Sequence, residues 1–130
     1  MAWVEVFSAF VVCHLVGDYL LQTDHQARHK HGGLGADPVA RRALLAHIAT
    51  YTLAFVPALI WLADDLGAGV LWVAALIAVP HLVQDDGRLL ERYVTQVKGV
   101  PSANVPAIAP MVDQAFHVLV LFGLALLAGD

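Results

Sequence analysis

Three short strings place an imidazole and a carboxylate four residues apart: HLVGD at 14–18, HLVQD at 81–85 and DQAFH at 113–117. On a helix, positions i and i+4 share a face, about 6 Å apart along the axis. Each string therefore presents a pair: His14 with Asp18, His81 with Asp85, and His117 with Asp113. A fourth histidine, His47, lies in ARRALLAHIATY with no acid beside it. Imidazole and carboxylate together suit a divalent metal, with Zn²⁺ the leading choice and Fe²⁺, Mn²⁺ or Mg²⁺ as alternatives. The candidate ligands are His14, Asp18, His47, His81, Asp85, Asp113 and His117. These exceed the four donors of a closed zinc site, so the surplus would serve a second metal or orient the first set of ligands. Asp18, Asp85 and Asp113, or Asp86 next to Asp85, are candidates for a catalytic general base. Gln22 and Gln114 flank the acids and would orient substrate or water; each could equally bond a neighbouring helix.

The elements that must carry these residues are membrane helices. The 130 residues are 59% apolar and only 14% charged, against roughly 45–50% and 25% for soluble domains. Mean hydropathy is +0.70. Crossing the hydrocarbon as a helix takes about 20 mostly apolar residues, and residues 3–21, 40–62, 69–85 and 107–127 qualify as four spans, the third being short. Pro57 and Pro80 interrupt two of them, which packed membrane helices tolerate, and Pro38 suits the start of the second. All seven Lys and Arg residues fall in two connections: Arg28, Lys30, Arg41 and Arg42 in one, and Arg88, Arg92 and Lys98 in the other. The positive-inside rule then places both long loops in the cytoplasm and both termini outside.

This topology orders the site. Spans one and three run toward the cytoplasm and span four runs away from it, and the His/Asp order reverses with the direction. In all three the Asp lies nearer the cytoplasm and the His one turn deeper; His47 falls at the level of His14. Ionisable residues inside a membrane are costly, roughly 2.5–3.5 kcal/mol for an Asp at a helix centre on insertion scales, so seven in so small a chain require a common purpose. The expected fold is an all-α, four-helix transmembrane bundle, residues 1–130 forming one membrane domain, with a polar His/Asp centre near the cytoplasmic side.

The remaining features say less. TDHQARHKHGGLGAD reads as a solvated loop, although His25, His29 and His31 could bind a metal. In DGRLLERYVTQVKGVPSANVP, the spacing of Leu89, Leu90, Tyr93, Val94 and Val97 predicts an amphipathic turn or two along the interface. A lone Cys13 forms no internal disulfide. The first apolar stretch lacks a basic leader and cleavage site and reads as a retained helix. A net charge of −4 excludes a broadly basic nucleic-acid binder.

HLVGDYLLQTD, a His in the second span, HLVQD and DQAFH together resemble the small bacterial membrane proteins grouped as DUF3307, over nearly the whole chain. The resemblance implies a four-span protein of the plasma membrane with a shared polar centre, and no activity. A fainter similarity is to the membrane-bound metal-dependent hydrolases. The doubled aspartate, Asp85 and Asp86, leaves open which of the two is the ligand.

The leading functional expectation is a metal-dependent membrane hydrolase acting on a lipid or other amphiphile through a mono- or dinuclear site. Four alternatives stand beside it. A di-iron centre would hydroxylate or desaturate lipid. DDGRLLE, with Asp85, Asp86 and Glu91, could hold a magnesium–diphosphate for prenyl chemistry. A divalent-metal transporter would use intramembrane acids as an ion path, but AFVPALIWL and VLVLFGLALL continue none, so assembly into a homo-oligomer would have to supply it. A haem clasped by histidines would leave the three aspartates without a role.

Overall fold

The computed structural model describes residues 1–130 and is all-helical. Helix α1 (Trp3–Leu15) runs straight into a π-helical segment, Val16–Leu21. A short α2 (Asp24–His29) follows, then α3 (Pro38–Ala54), α4 (Val56–Leu66) and α5 (Val70–Asp85). After a tight turn comes α6 (Arg88–Arg92), continued as a π-helical turn over Tyr93–Val97, and finally α7 (Val105–Ala128).

Local chemistry explains the boundaries. Thr23 caps α2 by accepting from Gln26 N–H while Gln26 Oε1 accepts from Thr23 N–H, a reciprocal capping box. The segment expected to be a loop is therefore helical over one and a half turns. Asp37 caps α3 by accepting from Val39 N–H at 2.8 Å, with Pro38 in the first position, where its missing N–H costs nothing. The stretch 40–62 is not one uninterrupted helix. It breaks at Phe55, because Pro57 can donate nothing to the preceding turn. Gly67, at φ +54°, closes α4 in a conformation that disfavours any side chain.

Three helical stretches are long and apolar enough to cross a membrane: Trp3–Leu21, Val56–Asp85 and Ser102–Ala128. The residues of 40–62 do not make a separate one, since the break at Phe55 leaves α3 with 17 residues, short of the about 20 that a crossing takes. Large apolar side chains cover the outside, among them Leu20, Trp72, Met111 and Leu127, as befits a surface solvated by lipid.

The interior has two storeys. Buried residues recur along each helix: Val6, Phe10 and His14 on α1; Leu44, His47, Tyr51 and Phe55 along α3; Val73, Ile77, His81 and Asp85 on α5; His117, Leu121 and Leu124 on α7. On α1, α5 and α7 the stripe is apolar toward one end and polar toward the other, and on α3 His47 lies between Leu44 and Tyr51. The apolar ends meet in a single core holding Phe10, Tyr51, Phe55, Leu62, Ile77 and Leu121. At the extremity of that storey the N-terminal amine pairs with Asp130 and Asp65, and Asp130 N–H reaches Met1 O at 2.9 Å. The polar ends make the other storey.

Candidate metal centre

Asp18 comes from the π-helical segment, where the ladder widens to i→i+5 bonds; such segments recur at functional sites. His47 comes from the middle of α3, and His81 and Asp85 from the last turns of α5. Their tips converge. His47 Nε2 lies 3.1 Å from His81 Nε2, 3.3 Å from Asp18 Oδ1 and 2.8 Å from Asp85 Oδ2. His81 Nε2 lies 3.3 Å from Asp18 Oδ1 and 3.2 Å from Asp85 Oδ2. A tetrahedron with metal–ligand bonds of about 2.0–2.1 Å has edges of about 3.3–3.4 Å. Four of the six edges, at 3.1–3.3 Å, are thus near those of a zinc-sized cage and the His47–Asp85 edge is shorter at 2.8 Å. The four donor atoms all lie within 4.8 Å of one another.

A second set adjoins the first. Asp85, Asp113 and His117 also bring donor atoms within 4.8 Å of one another, so Asp85 belongs to both groups. His117 Nδ1–H donates to the Asp113 carbonyl oxygen at 2.7 Å. That bond leaves the lone pair on Nε2, which faces Asp85 Oδ1 at 3.3 Å. Asp18 Oδ1, Asp85 Oδ1 and His117 Nε2 are buried with no hydrogen-bond partner. Lone pairs brought together in a dry site repel unless a cation lies between them. One proton would answer one such pair, whereas a divalent ion answers four donors at once. The residues therefore fit a metal.

Around the cage is a hydrogen-bonded chain. Tyr51 O–H donates to His14 Nδ1 at 3.1 Å, His14 Nε2–H to Gln114 Oε1 at 2.9 Å, and Gln114 Nε2–H to Asp18 Oδ2 at 3.2 Å. Both nitrogens of His14 are thereby engaged. Tyr51 also stacks on His81, ring centres 3.4 Å apart. Lys30, at the end of α2, donates to Asp85 Oδ2 at 2.7 Å and to Gln22 Oε1 at 2.6 Å. A cleft of about 830 Å³, lined by Asp18, Gln22, Lys30, Asp85, Asp113 and Gln114 among others, leads to the cage from the loop end.

Residues 6–128 match the family described as "Protein of unknown function (DUF3307)". The chain belongs to that family. No curated protein and no solved structure matches it.

In this DUF3307 member the structure gathers Asp18, His47, His81, Asp85, Asp113 and His117 into the two linked groups. It holds His14 beside them as a hydrogen-bonding support, and places Gln114 between His14 and Asp18 and Gln22 under Lys30. Asp86 is not brought to the cage. It turns the other way, its Oδ1 accepting from Leu34 N–H at 2.8 Å and its Oδ2 from Arg88 at 2.6 Å, while its carbonyl accepts from Gly32 N–H. Burial alone would raise the Asp86 pKa, but Arg88 and the Leu34 N–H hold it below the usual carboxylate value. Asp85, Asp86 and Glu91 thus do not converge as a magnesium–diphosphate motif would require; Glu91 is exposed. His25 and His29 stack on the exposed face of α2, and His31 lies against Gly87, so these three form no common site. Two contributors carry no sequence signal of their own chemistry. Lys30 reaches in from outside the apolar segments. Tyr51 follows His47 by four residues, and that same-face spacing was the one clue to it.

Proposed function

We propose that this chain is a metal-dependent enzyme of the plasma membrane, a hydrolase acting on a lipid or other amphiphile. The observation that carries the reading is the near-tetrahedral set of His47, His81, Asp18 and Asp85, sharing Asp85 with Asp113 and His117, at the base of an open cleft. A wholly closed cage would suit a structural metal. Here the second group offers three protein donors, as catalytic sites do when they keep a position for substrate or water. A bound divalent ion would supply Lewis acidity and a nucleophile at neutral pH. The chain's own residues do the rest. Asp85 joins the two groups, His117 is aimed by the Asp113 carbonyl, and the Asp113 carboxylate borders the cleft, where it can take a proton from attacking water. Lys30 stands at the mouth, able to neutralise a developing anion.

In this reading α3 and α4 make one kinked crossing, so the protein is a four-helix transmembrane bundle. All seven Lys and Arg residues belong to the connections at the metal end, which supports a cytoplasmic position for that end. Zinc fits the donor set best. The apolar storey beyond the cage, with Phe10, Phe55, Leu62 and Ile77, supports an ion that is retained over one that passes through.

Metal analysis of the purified chain tests the reading. Wild-type protein should carry at least one zinc or other divalent ion per chain, Asp85→Asn should lose it, and Asp86→Asn should retain it. Zinc, iron and manganese all at background in wild-type protein reconstituted with each ion would overturn the proposal. Where metal is present, release of a polar head from a panel of lipid esters and phosphates checks hydrolysis.

A further inference from the structure

The polar cleft has an apolar annex. A cavity of about 170 Å³ lies between α5, α6 and α7, lined by Val83, Leu89, Leu90, Tyr93 and Phe116, with Gln84 and Asp113 at its polar edge. Gln84, Leu90 and Asp113 also line the large cleft, so the two spaces are continuous past the Asp113 carboxylate. Val83 and Leu89 are exposed on the outer surface, and Tyr93 meets Phe116 edge to face at 5.1 Å. The annex is a pocket with aromatic walls, open toward the surrounding apolar phase, that ends at the candidate metal donors.

The charge balance of the polar lobe says what kind of head would lie there. Were each of the two donor groups to hold a divalent ion, those ions and the Lys30 ammonium, set against the carboxylates of Asp18, Asp85 and Asp113, would leave a net charge of +2. Ions on both Asp85 oxygens would also displace Lys30 from its carboxylate partner. Gln22 Oε1, at 2.6 Å from Nζ, would keep the ammonium at the mouth with donors to spare. A cationic or zwitterionic amine has no counter-charge left to it there, whereas a phosphate has.

Resting on the metal-site reading above, we propose that the substrate is a phosphate-headed, long-chain amphiphile. Its chain lies between α5, α6 and α7 against Tyr93 and Phe116, and its phosphate lies between the metal donors and Lys30. The annex commits the chain to one side of Asp113 and thereby fixes which bond of the head faces the carboxylate.

Full-length protein in nanodiscs is titrated calorimetrically with dodecyl phosphate, dodecyltrimethylammonium and inorganic phosphate, in zinc-loaded and metal-free forms, with empty nanodiscs subtracted. Zinc content is measured on the same samples. Zinc-loaded wild type should bind dodecyl phosphate at least about tenfold more tightly than either other probe. Lys30→Met, which removes a charged donor, should weaken both phosphate probes by about tenfold. Leu89→Trp, at an exposed wall of the annex that takes no part in the large cleft, should weaken dodecyl phosphate by about tenfold and leave inorganic phosphate unchanged. Equal affinity for dodecyltrimethylammonium, or full dodecyl phosphate affinity in Leu89→Trp, would overturn the assignment. Full zinc content alongside either failure sinks the substrate assignment alone; selective dodecyl phosphate binding without zinc sinks the metal reading alone.

Discussion

Asp85 uses both carboxylate oxygens: Oδ2 closes the His47–His81–Asp18 set, and Oδ1 faces His117. Asp18 divides its oxygens differently, offering Oδ1 to the cage and Oδ2 to the Gln114 side chain. Gln114 is amphoteric and so passes polarity along, from the His14 N–H it accepts to the Asp18 oxygen it supports. Replacing it with leucine leaves a buried N–H on His14 and a freely rotating Asp18, with no donor atom of the cage itself removed. Outer-sphere partners of this kind are worth roughly 10–100-fold in metal affinity. Gln114→Leu should therefore bind zinc at unchanged stoichiometry but about 10–100-fold more weakly, as read by competition with a chromogenic chelator. The i, i+4 strings made most of these donors legible: the inward face was fixed by apolar stripes that continue into His14, His81 and His117. What spacing could not separate was a donor from its support, so His14 and His47 read alike although only His47 turns a nitrogen into the four-donor set. Nor could it say which of Asp85 and Asp86 turns inward. That depends on the loop, where Leu34 and Gly32 offer N–H groups to Asp86.

Helix geometry sets the precision of the site. The π-helical segment Val16–Leu21 passes so close to α3 that a Cβ at Gly17 would lie 2.6 Å from Tyr51 Cδ2 and 3.3 Å from Tyr51 Cα. The Tyr51 ring can retreat only by disturbing its stack on His81. Gly17→Ala should cost about 1–3 kcal/mol as overpacking. A lowered melting temperature by circular dichroism would register it, and the displaced Tyr51 would weaken metal binding in the same variant. The break of α3 at Phe55 was legible from Pro57, whereas the π-helical register was not, because an apolar pattern does not record which carbonyl an N–H chooses. At the loop end, the turn after α5 is pinned by Asp86. Its pKa is held below the ordinary 3.8 by Arg88 and the Leu34 N–H, against burial, which acts the other way. A group whose native pKa is depressed stabilises above its unfolded pKa and loses that contribution as pH falls through the native one. The tether between the 30–37 loop and α5 should thus be intact at pH 5 and above, and weaken only below about pH 3.8. Hydrogen exchange at Gly32 and Leu34, followed from pH 6 to 3 and corrected for intrinsic rates, should show protection lost in that window. Protection unchanged at pH 3 would mean that the charge of Asp86 adds nothing to the tether.

The whole molecule brings its two ends together. Met1 and Asp130 share a backbone hydrogen bond and an ion pair, and Asp65 joins them from the end of α4. A chain whose termini meet on one face of a membrane crosses it an even number of times. Three apolar stretches alone would leave the termini on opposite faces. The longest stretch, Val56–Asp85, contains the positive-φ turn at Gly67, and the cage requires the two ends of α5 to lie at different storeys. On the proposed reading α3 with α4 count as one crossing and α5 as the next, which restores an even number. The same count puts Ala68 with the termini and Ser102 with the metal end and its lysines and arginines. Both positions are exposed, and Cys13 is the sole native thiol, so single-cysteine variants on a Cys13→Ser background can report sidedness. In intact cells an impermeant maleimide should label Ala68→Cys and spare Ser102→Cys, with the pattern reversed in inside-out vesicles. Labelling of both positions from one side would remove the even crossing count. With it would go the placement of the His/Asp layer beneath the cytoplasmic headgroups, since the only charge asymmetry available to orient the chain is the one that Ser102 adjoins.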